Sequence, residues 1–285
     1  MASTHSLSIH NLDRHLNELS QQGYTIIPGY LDRQTTAAIR AHIDAVVASD
    51  LPDKNLTWAD TDKARIYRND EQGVRQLRHP IVGDIMPEIA NNPQTIELGR
   101  LLLGSNLANL RMREQVLSRT DPTPPPYGPS GWHIDAPFTK EEYESTPRRI
   151  YYQLLQYCST VESGGGAFML VPGSHKLTYA ANAEPRSEEQ RQQLQKDPIG
   201  VASIDPDEGI EVCANDGDLI IFNAMCLHSA SKNASQQTRY VYFTSFYDAS
   251  AEWLVDFVRN TKYRDGFPDS LYLGLPEELH HLLAH

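Results

Sequence analysis

The feature that most constrains this chain is a change of texture near Asn106. From there to Phe246 the sequence breaks into short runs rich in β-branched and aromatic residues, separated by turn signals. Arg111 to Ser118, Ile150 to Cys158, Ala167 to Val171, Asp218 to Asn223 and Arg239 to Phe246 all read as strands. A loop rich in proline and glycine, Asp121 to Gly131, interrupts them. Such spacing predicts an antiparallel sandwich or barrel.

The N-terminal third has helical periodicity instead. Leu12, Leu16 and Leu19 recur on one helical face, and Gly23 supplies a stop. Tyr24 to Ile27 reads as a short strand, and Asp32 caps a helix whose apolar face is Ile39, Ile43 and Val46. Asn92-Pro93 places a cap and a first-turn proline before Ile96 to Leu103, with Gly104 past the end. Ser187 to Lys196 is polar and reads as a surface helix or disordered insert, and the tail carries Trp253 to Val258 and a final helix after Pro276. No linker interrupts this order. The expectation is one domain over 1–285, mainly β with flanking α-helices: a helical part over about 10–105, a barrel core over about 106–248 and a helical tail over about 249–285.

Composition narrows the partners. A formal charge of -12 argues against nucleic acid or an anionic membrane as the main partner. No apolar run is long enough to span a bilayer, and Met1 to His10 lacks a signal-peptide core. Three widely spaced cysteines, Cys158, Cys213 and Cys226, form no C-x-x-C and read as free thiols of a reducing compartment. The expected location is cytoplasmic, and oligomeric state is left open. Asn55-Leu56-Thr57 and Asn233-Ala234-Ser235 match the glycosylation pattern without a secretion signal to make it meaningful.

Chemistry concentrates in four residues. His133 and Asp135 stand two apart, so on an extended backbone they offer an imidazole nitrogen and a carboxylate oxygen to the same face. His228 follows the apolar strand that ends at Asn223, where antiparallel pairing can return it to the first pair. Two histidines and one carboxylate on one face of a metal leave positions open to other ligands, whereas a structural site is closed by protein donors. Arg239 opens the next strand, and its planar fork suits a bidentate grip on a carboxylate.

Together these residues resemble the phytanoyl-CoA dioxygenase-like branch of the iron(II)/2-oxoglutarate oxygenases. The stretch Gly166 to His175, with its Pro172-Gly173-Ser174-His175, and the stretch Gly23 to Leu31 resemble further motifs of that branch in the same order. The resemblance implies a double-stranded β-helix, a distorted jelly-roll barrel with cupin-like form. It implies that His133, Asp135 and His228 bind Fe(II), that Arg239 holds the distal carboxylate of 2-oxoglutarate, and that O2 is consumed while 2-oxoglutarate is split to succinate and CO2. The implied outcome is oxidation, most often hydroxylation, of a C–H bond in a small organic molecule.

Several residues carry finer expectations. Relatives place a small hydroxyl residue two positions after the distal histidine; here that position is Ala230, flanked by Ser229 and Ser231. Ser231, and Gln153 on a strand that lines the cavity in relatives, join Arg239 as candidates to hold 2-oxoglutarate. Arg113, Gln115 and Tyr151 are candidates to touch substrate, on strands that line the cavity in relatives. Asp135 disfavours chlorination, because halogenating relatives replace that carboxylate with Ala or Gly. His175 reads as part of a turn, and Gly164-Gly165-Gly166 as a tight connection with no P-loop lysine after it. Lys63 to Arg68 reads as a solvated surface or part of a lid. Two other functions remain open at this point: a catalytically silent ligand-binding barrel, and a non-oxidative metalloenzyme on the same fold.

Overall fold

The computed structural model describes residues 9–49, 66–77, 89–183, 187–257 and 269–284. Asn55-Leu56-Thr57 and Lys63 to Arg65 of the possible lid lie outside these residues. Helix α1 (Ile9–Gln22) leads into strand β1 (Tyr24–Ile27), and α2 (Arg33–Ser49) follows. The turn between α1 and β1 is Gly23, at φ +80, a backbone conformation that L side chains rarely adopt. Asp32 caps α2 by accepting from the Thr35 amide at 2.7 Å. A hairpin of β2 (Ile66–Asn69) and β3 (Val74–Leu77) precedes α3 (Pro93–Leu103), which starts on the Asn92 cap and stops at left-handed Gly104.

The remaining strands are β4 (Leu110–Thr120), β5 (Tyr152–Tyr157), β6 (Phe168–Leu170), β7 (Ile210–Val212), β8 (Leu219–Asn223), β9 (His228–Ser229) and β10 (Arg239–Asp248). Helices Lys140–Glu144, Ser174–Ala181, Glu188–Lys196, Pro198–Ala202, Glu252–Phe257 and Asp269–Gly274 decorate them, with a final 3-10 helix over Glu277–Leu283. Seven strands form one antiparallel sheet in the order β1-β8-β5-β10-β4-β3-β2, and β7-β6-β9 form a second. Bridges Pro129↔Ser231 and His133↔His228 extend the second sheet beyond β9. This is the distorted jelly roll of a double-stranded β-helix.

Two apolar clusters follow from the alternation of side chains along the strands. Leu154, Leu219, Ile221 and Tyr242 pack with Ile39, Ile43, Leu98 and Leu102 of the helices. Their strand neighbours Leu155, Ile220, Phe222 and Val241 face the other way, toward Phe168, Leu170 and Val212 of the second sheet. The sheets thus share a small apolar interior, and the helices cover the back of the larger one.

Two elements differ from the sequence reading. Ile66 to Arg68, the described part of the stretch expected as a solvated surface or lid, lies in strand β2, and the β2–β3 hairpin is paired through β3 to β4. Ser174 and His175 open a helix rather than close a turn, after Gly173 in the left-handed region. The cysteines are free, with Cys158 and Cys226 buried. No helix among the described residues is long and apolar enough to cross a membrane.

Candidate metal and co-substrate site

Backbone pairing builds the site. His133 and His228 exchange reciprocal amide-to-carbonyl hydrogen bonds, both at 2.9 Å, and the Asp135 amide donates to the Ala224 carbonyl at 2.9 Å. Two chain segments, His133 to Asp135 and Ala224 to His228, are thereby fixed to each other before any side chain is considered. The ligand atoms of His133, Asp135 and His228 all lie within 4.8 Å of one another. The His133 and His228 ring centroids are 4.3 Å apart, and His228 Nε2 is 3.5 Å from Asp135 Oδ1.

Each histidine is oriented by its other nitrogen. His133 Nδ1 lies 3.0 Å from the Gly131 carbonyl, and His228 Nδ1 lies 2.9 Å from the Cys226 carbonyl. A carbonyl only accepts, so each Nδ1 carries the proton and each Nε2 keeps its lone pair for a metal. Phe168 and Phe222 lean on the His228 ring, with centroids at 5.6 and 4.9 Å. Desolvation, then the neighbouring His228, lowers the His133 pKa, which favours the neutral ligand form. Desolvation raises the Asp135 carboxyl, but His228, His133 and Arg113 outweigh it, and the group stays well below the usual carboxylate range. Two neutral imidazoles and an ionised carboxylate converging on one point fit a divalent transition-metal ion and leave part of its coordination sphere free.

The triad opens on a cavity of about 430 Å³ between the sheets. Arg239 lines it from β10, only 7% exposed. Its Nη1 donates to the Gly166 carbonyl at 2.5 Å, its Nε has no partner, and no carboxylate pairs with it among the described residues. Gly166 turns at φ +74 to aim that carbonyl inward. Desolvation lowers the Arg239 pKa, yet a guanidinium remains charged. A buried cation without an anion is costly, so this cavity is built to receive one.

The other candidates divide. Gln153 lines the cavity from β5, its Nε2 donating to Asp135 Oδ2 at 3.1 Å and to Glu114 Oε1 at 2.9 Å. Ser231 is turned away, its hydroxyl donating to the Ala167 carbonyl at 2.8 Å; Ala230 takes the wall position. Gln115 lies on the helix-facing side of β4, where it bonds Thr244 at 3.1 Å and accepts from Tyr242. Arg113 sits behind the wall, its guanidinium 3.8 Å from the Tyr151 ring centroid and 2.8 Å from Glu114. Tyr151 is fully buried beneath it, and neither lines the cavity. On β4 the wall belongs instead to Glu114 and Val116. That face could not be read from sequence because β4 is buried on both sides, which removes the apolar–polar alternation.

Of the entrance, sequence reasoning offered only the lid alternative for Lys63 to Arg68, which contains Tyr67. Tyr67, Asn69, Gln72 and Gln76 of the β2–β3 hairpin line the cavity, while Arg68 pairs with Asp70 outside. The Asp70-Glu71-Gln72-Gly73 turn between two four-residue runs was the available signal. The polar helix Glu188–Lys196 reaches the site as well, Gln195 donating to the Asp135 carbonyl at 3.4 Å. His175 lies outside the cavity, 3.2 Å from the Ser20 carbonyl.

A family model described as phytanoyl-CoA dioxygenase (PhyH) matches residues 19–241. No curated protein sequence matches the chain. Among solved structures, the epimerase SnoN in complex with Fe3+, alpha ketoglutarate and nogalamycin RO superimposes with a TM-score of 0.59 at 20% identity, covering 84% of each chain. HygX from Streptomyces hygroscopicus, with nickel, 2-oxoglutarate and hygromycin B bound, gives 0.54 at 15% identity over 82% of this chain and 86% of its own. The carbocyclase SnoK from nogalamycin biosynthesis gives 0.54 at 17% over 83% of each. At these identities the likeness is one of fold.

Proposed function

The chain belongs to the phytanoyl-CoA dioxygenase family of iron(II)/2-oxoglutarate-dependent oxygenases, and from that premise we propose that it oxidises a C–H bond of a small organic molecule, most often by hydroxylation, while 2-oxoglutarate is converted to succinate and CO2. The observation that carries the reading is one cavity with two opposed demands. At one end, His133, Asp135 and His228 present free donor atoms; at the other, Arg239 is a buried cation without an anion. A molecule with a metal-chelating end and a distal carboxylate satisfies both.

Fe(II), held by His133, Asp135 and His228, supplies the activation of O2 that couples 2-oxoglutarate decarboxylation to substrate oxidation. The protein's own contribution is positional. Arg239 takes the distal carboxylate in a charge-assisted, water-poor contact. Phe168, Phe222 and Phe243 make the wall between the two ends apolar and keep the interior dry. The β2–β3 hairpin stands at the opening, where Tyr67, Asn69, Gln72 and Gln76 offer hydrogen bonds to a substrate. Neighbouring structures that hold nogalamycin RO or hygromycin B support a small-molecule substrate. Neighbours named epimerase and carbocyclase show that this fold serves more than one outcome.

The test is succinate formation by Fe(II)-loaded protein with 2-oxoglutarate, with and without O2, across a substrate panel. Succinate that requires both iron and O2, and rises with one substrate class, is expected. Protein that binds Fe(II) but neither binds nor turns over 2-oxoglutarate returns the chain to the silent-barrel or non-oxidative readings.

A further inference from the structure

Behind the metal ligands lies a chain of buried polar groups that the proposed function does not use. Gln153 Nε2 stands between two carboxylates, 3.1 Å from Asp135 Oδ2 and 2.9 Å from Glu114 Oε1. Chemistry fixes the orientation of that amide: its carbonyl oxygen in the same place would face two acceptors, so the NH2 must lie there and give one hydrogen to each. Glu114 Oε1 is in turn 2.8 Å from Arg113 Nη1, and Arg113 Nη1 also reaches Ser245 Oγ at 3.3 Å. Arg113, Glu114 and Gln153 are all at least nine-tenths buried.

The fold explains how two consecutive β4 residues come to meet here. In the pairing of β4 with β10, Glu114 faces Ser245 and Met112 faces Phe246, so Arg113 is the extra residue of a bulge. A bulge re-aims the side chain it carries. Arg113 then swings back over Tyr151 and anchors Glu114 from behind.

The consequence falls on Asp135, whose two oxygens have different partners. Oδ1 lies on the metal side, 3.5 Å from His228 Nε2, and Oδ2 is taken by Gln153. A carboxylate free to rotate can offer both oxygens to one cation; a donor fixed on the second oxygen opposes that rotation. We propose that Gln153 is a positioning residue that holds Asp135 as a one-oxygen ligand, with Glu114 and Arg113 fixing Gln153, and so keeps the adjacent coordination position free for a chelating co-substrate. This rests on the iron/2-oxoglutarate reading of the site and adds to it the device that sets ligand number. It also reassigns Gln153 from a co-substrate contact to a partner of the metal carboxylate.

The test needs no turnover. Full-length protein is titrated with Co(II) without 2-oxoglutarate, and the visible bands, whose intensity follows coordination number, are recorded for wild type, Gln153→Leu and Gln156→Leu. Gln156 is the control because it lies on the same strand, is also buried and does not line the cavity. Altered bands in Gln153→Leu, a metal affinity about 10-fold weaker and wild-type bands in Gln156→Leu are the expected result. Should Gln153→Leu fail to fold, Gln153→Asn keeps the amide but draws it back by one methylene, and the same change is expected. Wild-type bands in the folded Gln153 variant overturn the inference alone. Wild-type protein that binds no Co(II) overturns the oxygenase reading and this inference with it.

Discussion

The two faces of the large sheet are made by the same strands and do opposite work. On β5, Leu154 enters the helix-covered cluster with Ile39, Ile43, Leu98 and Leu102. One residue later, Leu155 enters the smaller cluster beneath the cavity, and Gln153 before it donates to two carboxylates. The back face is mostly apolar, with Gln115, Thr244 and Gln156 as its buried polar exceptions. The front face tolerates a buried arginine without an anion and a buried polar chain reaching Asp135. Stability is therefore concentrated on one side of a sheet one residue thick, and this leaves the other side free to hold groups that a packed core would reject.

The largest effect expected from splitting these roles is at Asp135. Asp135→Ala removes a ligand on the front face and should lower succinate formation by about 10²–10³ or more, with a melting temperature close to wild type. A large loss of stability would show that the front face also carries the fold. Next comes the mirror experiment on the back face. Leu154→Ala should cost about 2–5 kcal/mol in urea unfolding, while the folded fraction binds 2-oxoglutarate normally; weakened binding would mean that the faces are coupled.

Arg239→Ala should weaken 2-oxoglutarate binding by about 1.5–3 kcal/mol, or roughly 10- to 150-fold, and leave Co(II) binding unchanged. Since it removes a buried, unpaired charge, the apoprotein should be no less stable than wild type; calorimetry with and without 2-oxoglutarate reads both effects. The smallest effect concerns His175, buried on the helical side, where desolvation lowers its pKa to about 4. The unfolded chain takes up this proton first, near an ordinary histidine pKa of about 6.5, so stability is complete above that value and falls as pH drops toward about 4. Between pH 7.5 and 5.5 the loss should be about 1 kcal/mol, and His175→Gln should flatten that part of the curve. An unchanged curve would assign the acid sensitivity to other groups.

Much of this architecture is legible where a local rule has one solution. Asn92-Pro93 and Gly104 bracket a helix, and Asp32 caps another, because those residues satisfy orphan backbone groups at helix ends. The two-residue spacing of His133 and Asp135 is readable because an extended backbone turns such pairs to one side. The inward parity of β4 is not readable, because both its faces are buried; Gln115 and Arg113 were assigned to the wall that Glu114 and Val116 occupy. The bulge at Arg113 depends on pairing with β10, so no local pattern announces it. Ser231 is absorbed by the Ala167 carbonyl, a partner far away in sequence. In the β2–β3 hairpin, charges at Arg68 and Arg75 hid the strand pattern; both pair with Asp70 of the turn.

The reciprocal pairing of His133 with His228 has a consequence for the order of events as the chain matures. These two donors are distant in sequence and meet only through long-range pairing in the second sheet. A metal ion offered to the nascent chain finds no preformed claw and cannot nucleate collapse, in contrast to small zinc domains that are unstructured until loaded. Assembly runs on long-range strand pairing, the slow kind, and loading comes last. Iron limitation should therefore leave a reservoir of intact, inactive apoprotein that is restored by adding metal, rather than a loss of the polypeptide.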